Sequence, residues 1–173
     1  MPSIKPADAG AVAAITDSTT LIYLFGASCS GKSTLGKALF STLGTHWTYI
    51  DRDDLIEQGV CSDSTANATL EKRIELIKDR VIIDAQIPWR KKNLGELYFL
   101  VLPPLQTLLE RDAKRTSQLQ RTKIQAQYAR EYVIETHQQL EQIDKAEFDY
   151  CFDSSKLSVQ DEVKIIQTFK IRH

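Results

Sequence analysis

Paired cysteines are the first thing this sequence lacks. Cys29, Cys61 and Cys151 are odd in number. They form no CxxC pair and no His cluster at metal-ligand spacing, which argues against both a disulfide framework and a zinc site. A reducing compartment, the cytoplasm, is the expected location. Excess charge is lacking too: 22 Lys and Arg stand against 23 Asp and Glu, a formal net charge of -1. Bulk charge therefore holds neither a nucleic-acid backbone nor an anionic membrane, and neither is expected as a partner. No run approaches the roughly 18 apolar residues of a membrane-spanning helix. Residues 1–18 also lack the basic start, long apolar stretch and cleavage site of a secretory signal; they are expected to form a flexible arm. Internal repeats and low-complexity segments are absent.

What remains is 173 residues with 42% apolar content, enough to bury one sizeable core, so a single domain is expected over residues 19–173, as a monomer or a homodimer. Apolar runs alternate with helical patterns. Leu21 to Phe25 reads as a buried strand, and Leu35, Leu39 and Leu43 repeat on one helical face before Gly44. Further strands are expected at Trp47 to Ile50, at RVIID, at ELYFLV before two prolines, and at FDYCFD. Helices are expected between them, including a long one from Arg121 to Lys145. Five strands separated mostly by helices imply an α/β fold, a three-layer sandwich with a five-stranded parallel sheet between helices.

Between the first strand and the first helix stands GASCSGKS. Gly26-x-x-x-x-Gly31-Lys32-Ser33 matches the phosphate-loop pattern of P-loop NTPases, in the strand-to-helix setting the pattern requires. Its glycines let the backbone wrap with N–H groups facing phosphates, and the helix adds its positive end. Gly26, Ala27, Ser28, Cys29, Ser30, Gly31, Lys32, Ser33 and Thr34 are expected to hold the nucleotide. Lys32 should contact the β and γ phosphates as a point charge, adding little to a core, while Ser33 places its hydroxyl on Mg²⁺. No Asn-Lys-x-Asp base-reading motif of GTPases occurs, which favours ATP.

YIDRDDLIEQ follows the second strand, whose carboxyl end shares the loop's edge of the sheet. Asp51 and Asp53 are thus placed near the γ-phosphate, one for a metal-bound water and the other for an acceptor hydroxyl; alternatively, both cap a helix. Asp84 ends the third strand in a Walker B pattern and is expected, with Ser33 and Asp51, at the metal.

GASCSGKSTLGKALFSTLG followed by YIDRDDLIEQ resembles the first third of small-molecule P-loop kinases, notably shikimate kinases and chloramphenicol phosphotransferases. The resemblance implies a transferase that moves the γ-phosphoryl of ATP to a small-molecule hydroxyl. On both family patterns Asp53 is the residue that approaches that hydroxyl. It also implies a lid near residues 111–123, where Arg111, Lys114, Arg115, Arg121 and Lys123 cluster, with Arg115 and Arg121 as its catalytic members. DAQIPW replaces the glycine-rich substrate loop of shikimate kinases. VLPPLQTLLERDAKR and EFDYCFDSS resemble guanylate kinases, which keeps a nucleotide kinase as an alternative, and Ser154 and Ser155 are candidates for contacts to adenine. A further alternative is an ATPase or nucleotide-binding switch acting on a protein.

Overall fold

The computed structural model describes residues 21–171; the expected arm at 1–18 lies outside them. Five strands form the sheet: β1 (Leu21–Phe25), β2 (Trp47–Asp51), β3 (Arg80–Asp84), β4 (Glu96–Val101) and β5 (Tyr150–Phe152). Their order is β2-β3-β1-β4-β5 and every pairing is parallel. Tyr23, for example, stands in register with Ile83 on one side and Tyr98 on the other.

A parallel sheet is covered on both faces, so its central strands are apolar throughout rather than alternating. β1 is buried at all five positions, and successive residues feed opposite cores. Tyr23 and Phe25 join Ile83, Tyr98, Leu108, Val133 and Leu140 in one cluster. Ile22 and Leu24 join Leu35, Leu39, Phe99, Ile166 and Phe169 in the other. The second face is closed by α1 (Lys32–Leu43) and α6 (Val159–Ile171), which pack together. The first is closed by α2 (Arg52–Glu57), α3 (Ala66–Leu76), α4 (Leu105–Gln118) and α5 (Lys123–Gln142). The long helix starts two residues later than expected, because Thr122 caps it: its Oγ1 accepts from Gln125 N, and the Gln125 side chain returns the bond to Thr122 N.

The segment 85–95 leaves the top of β3 and re-enters the sheet at the bottom of β4, and most of it is structural. Arg90 binds Glu96 through two nitrogens, at 2.6 and 2.9 Å, and also donates to Glu71 and to the Tyr23 hydroxyl. Trp89 packs edge-on against Tyr23 and Phe25 and donates to Glu71. Trp89 is thus part of the core boundary. Burial pushes the nearby Tyr98 phenol up to about 12.

Candidate active site

The first β-strand delivers the phosphate loop at the carboxyl edge of the sheet, beside the ends of β2 and β3. Gly26 N donates to Gln86 O at 3.1 Å, which ties the start of the loop to the second residue after β3. Gly26 has no room for a side chain: a Cβ there stands 2.6 Å from the Val101 carbonyl oxygen. Gly31 (φ 101) and Cys29 (φ 66) both adopt left-handed conformations, which turn the loop into the start of α1.

Arg111 anchors this loop from below. Its Nη1 donates to the carbonyls of Cys29 and Ser30 at 3.2 and 3.1 Å and to Ser154 Oγ at 2.9 Å. Its Nη2 donates to Ser154 O, and Ser154 Oγ in turn donates to Ser30 O at 2.6 Å. The phosphate loop and the loop after β5 therefore share one guanidinium, a role the sequence did not suggest for Arg111. Glu162, in the first turn of α6, completes this side of the cleft. It is 1% exposed, with no hydrogen-bond partner for Oε1. Burial pushes its carboxyl up to about 7, with Arg111 acting against the shift.

Lys32 is buried rather than free. Its Nζ lies 3.3 Å from Asp84 Oδ1. Burial disfavours the ammonium, but the carboxylates of Asp84, Asp53 and Asp51 outweigh that, and its pKa is raised. Burial likewise raises Asp84, with Lys32 offsetting only part of the effect and Asp51 adding to it. The expectation that Lys32 adds little to the core is thereby corrected: it is one half of a buried ion pair. The Ser33 hydroxyl lies beside Asp84 and Tyr49, where it favours the charged form of each. The Tyr49 hydroxyl donates to Asp84 Oδ2 at 3.2 Å and to Asp51 Oδ2 at 3.4 Å. Ser33, Asp51 and Asp84 therefore stand together, with Tyr49 bridging the two carboxylates.

Asp51 also caps α2, its Oδ1 accepting from Asp53 N at 2.9 Å. Asp51 thus takes the helix cap in addition to its place beside Asp84, whereas the Asp53 carboxylate faces the cleft. Gln86 Nε2 donates to Asp53 Oδ1 and Oδ2 at 3.2 and 3.4 Å, and Gln86 Oε1 accepts from the Tyr132 hydroxyl. Arg52 Nη1 lies 3.6 Å from Asp53 Oδ1. Gln86, Tyr132 and Arg52 were not singled out from the sequence. Gln86 is the residue two places beyond Asp84, and that position was the available signal.

Two cavities lie on either side of the Asp53 contacts with Arg52 and Gln86. A cleft of about 680 Å³ runs over the phosphate loop and is lined by Lys32, Ser33, Asp51, Asp53, Arg115 and Glu162 among others. A smaller cavity of about 210 Å³ lies beyond Asp53, walled by Arg52, Gln86 and Tyr132. Of the basic cluster at 111–123, Arg115 lines the cleft and its side chain is exposed. Arg121 is not brought to the cleft. It pairs with buried Asp112 at 2.9 Å and donates to Thr116 Oγ1, fixing the turn between α4 and α5. Ser154 lies against the phosphate loop; Ser155 instead donates to Asp153.

The family model of chloramphenicol phosphotransferase-like proteins matches residues 19–87, from the first strand through Ile87. No curated protein matches the sequence. Among solved structures, a shikimate kinase from Acinetobacter baumannii in complex with shikimate is similar at TM-score 0.62 and 16% identity, over 88% of this chain and 96% of that one. A shikimate kinase from Bacteroides thetaiotaomicron is similar at 0.61 and 17%, over 86% and 97%. A gluconokinase from Sinorhizobium meliloti 1021 is similar at 0.57 and 17%, over 87% and 91%. The chain has the P-loop kinase fold, a five-stranded parallel sheet between helices, and its resemblance to the small-molecule members of that group holds.

Proposed function

We propose that this protein transfers the γ-phosphoryl group of ATP to a hydroxyl of a small molecule in the cytoplasm. The observation that supports this reading is the position of Asp53. Its carboxylate lines the phosphate-loop cleft and touches Gln86 and Arg52, which wall the second cavity, and it is oriented by Gln86 rather than spent on capping a helix. Asp53 takes the proton of the acceptor hydroxyl as that oxygen bonds to the γ-phosphorus. The bond from the γ-phosphorus to its bridging oxygen breaks, and ADP leaves.

Lys32 serves the transferring phosphoryl group, exchanging Asp84 for phosphate oxygens. Arg115, on the segment read as a lid, is the free guanidinium available to neutralise that group from above. Arg121 acts by holding the turn. Ser33, Asp51 and Asp84 offer the oxygen donors that suit Mg²⁺, an ion usually held by one or two carboxylates together with substrate phosphates. When bound, Mg²⁺ neutralises charge on the β and γ phosphates.

The test is acceptor-dependent release of ADP across a panel of hydroxyl compounds, repeated with Asp53→Asn. Loss of general-base catalysis is expected to lower kcat by about 10²- to 10⁴-fold, with ATP affinity unchanged. ADP release that no acceptor stimulates, and that Asp53→Asn leaves alone, identifies an ATPase or switch instead.

A further inference from the structure

The cavity beyond Asp53 has a charge and a size that select among acceptors. We propose that the acceptor carries an ammonium group beside its hydroxyl and is no larger than a monosaccharide, an inference that rests on the phosphotransferase reading above.

Arg52 is the sole cation among the residues lining the cavity, and its guanidinium is already engaged. Nη2 donates to Asp63 Oδ1 at 2.7 Å and to Asp63 O at 3.0 Å, and Nε donates to Asn67 Oδ1 at 3.0 Å. Nη1 faces Asp53 at 3.6 Å. Two carboxylates thus share one guanidinium. Glu135 joins Asp63 as the second carboxylate of the lining, and among the described residues it has neither a hydrogen bond nor an ion pair. It stands on α5 three residues after Tyr132, one turn along the same face. An anionic acceptor finds one guanidinium whose charge Asp53 and Asp63 already balance, and meets the unpaired carboxylate of Glu135, whereas an ammonium group balances Glu135.

The hydroxyl is directed by what remains. Arg52 Nη1 is buried without a hydrogen-bond partner, so the group beside Asp53 with an unmet need is a donor, and an acceptor oxygen drawn against Asp53 supplies what it lacks. Size and surface narrow the class further. The cavity, about 210 Å³, falls below the roughly 300 Å³ at which pockets for drug-sized ligands begin. The aromatic of the lining, Tyr132, is held at its hydroxyl by Gln86.

Glucosamine, glucose and glucuronate share a ring and hydroxyls and differ in charge, so they form a matched set. Steady-state transfer from Mg·ATP is expected to give the highest kcat/KM with glucosamine and the lowest with glucuronate. Glu135→Gln should lower the glucosamine-to-glucose ratio of kcat/KM by about 10- to 100-fold, the worth of a hydrogen bond to a charged group. A preference for glucuronate, or a ratio that Glu135→Gln leaves unchanged, overturns the ammonium class and leaves the phosphotransferase reading standing. Absence of transfer to all three and to the wider hydroxyl panel, with ATP bound, overturns the phosphotransferase reading and this inference with it.

Discussion

Gln86 Nε2 straddles the Asp53 carboxylate, 3.2 Å from one oxygen and 3.4 Å from the other, while the Gln86 backbone oxygen accepts the N–H of Gly26. One residue therefore sets the position of the proposed base and the first turn of the phosphate loop. The Tyr132 hydroxyl fixes the amide in turn by donating to its Oε1. Gln86→Leu keeps the backbone bond and removes the amide, so it is expected to lower kcat by about 10-fold or more through a misplaced carboxylate, with ATP affinity retained. Tyr132→Phe should act in the same direction and more weakly, and the double variant should fall short of the sum, as members of one network do. Full additivity in steady-state kinetics would show that Tyr132 does not act through Gln86.

The buried pair of Lys32 and Asp84 gives a prediction with two separable readouts. Lys32→Ala removes the phosphate contact and also leaves Asp84 buried without its cation. It is expected to abolish turnover and to cost about 3 kcal/mol of stability, as breaking a buried pair commonly does. Adding Asp84→Asn should restore most of the stability and none of the activity. Denaturant unfolding beside ADP release checks both. Unaltered turnover in folded Lys32→Ala would remove the phosphate-loop reading.

How much of this was legible in the sequence depended on whether local pattern or long-range contact decided the matter. The β1 run, the phosphate loop and the α1 stripe are local, and the structure carries them where the sequence placed them. Asp51 and Asp84 are brought together by the pairing of β2 with β3, where they stand opposite each other; the shared sheet edge was enough to expect that. Arg111, Arg121 and Trp89 were not readable in the same way. Their partners, Ser154 at a separation of 43 residues, Asp112 within a folded turn, and the rings of Tyr23 and Phe25, become neighbours only after the chain is packed. A basic run shows charge, and only the fold shows which cations are already spent.

Gly26 and Cys29 of the phosphate loop predict opposite effects. Ala at Gly26 puts its Cβ 2.6 Å from the Val101 carbonyl oxygen, a backbone atom of β4 that has little freedom to retreat. Gly26→Ala is expected to destabilise by about 1–3 kcal/mol and to disturb the loop. Cys29 sits at φ 66, where a Cβ is unfavourable, so Cys29→Gly should relieve strain, offset in part by greater freedom of the unfolded chain, for a net gain of up to about 1 kcal/mol. Thermal unfolding of the two variants beside wild type checks the pair, and a loss in Cys29→Gly equal to that in Gly26→Ala contradicts the account.

Glu162 makes stability depend on pH in a direction opposite to that of a salt-bridged carboxylate. Its ordinary value is 4.5, and burial pushes it up to about 7 in the folded protein. Below about pH 4.5 the group is neutral in both states and contributes no penalty. As pH rises from there the unfolded chain ionises first, so stability falls through the interval up to about 7 and levels off once the folded group ionises too. The full amplitude is at most about 3 kcal/mol, from the 1.36 kcal/mol carried by each pKa unit. Glu162→Gln keeps the shape and cannot ionise, so the difference in unfolding free energy between variant and wild type should grow in the variant's favour from pH 4.5 to 7 and be constant above pH 8. Urea denaturation of both proteins across that range isolates this residue from the other titrating groups, which the two chains share. A difference that stays flat from pH 4.5 to 8 would mean that Glu162 ionises in the folded cleft as freely as in water, with Arg111 compensating its burial in full.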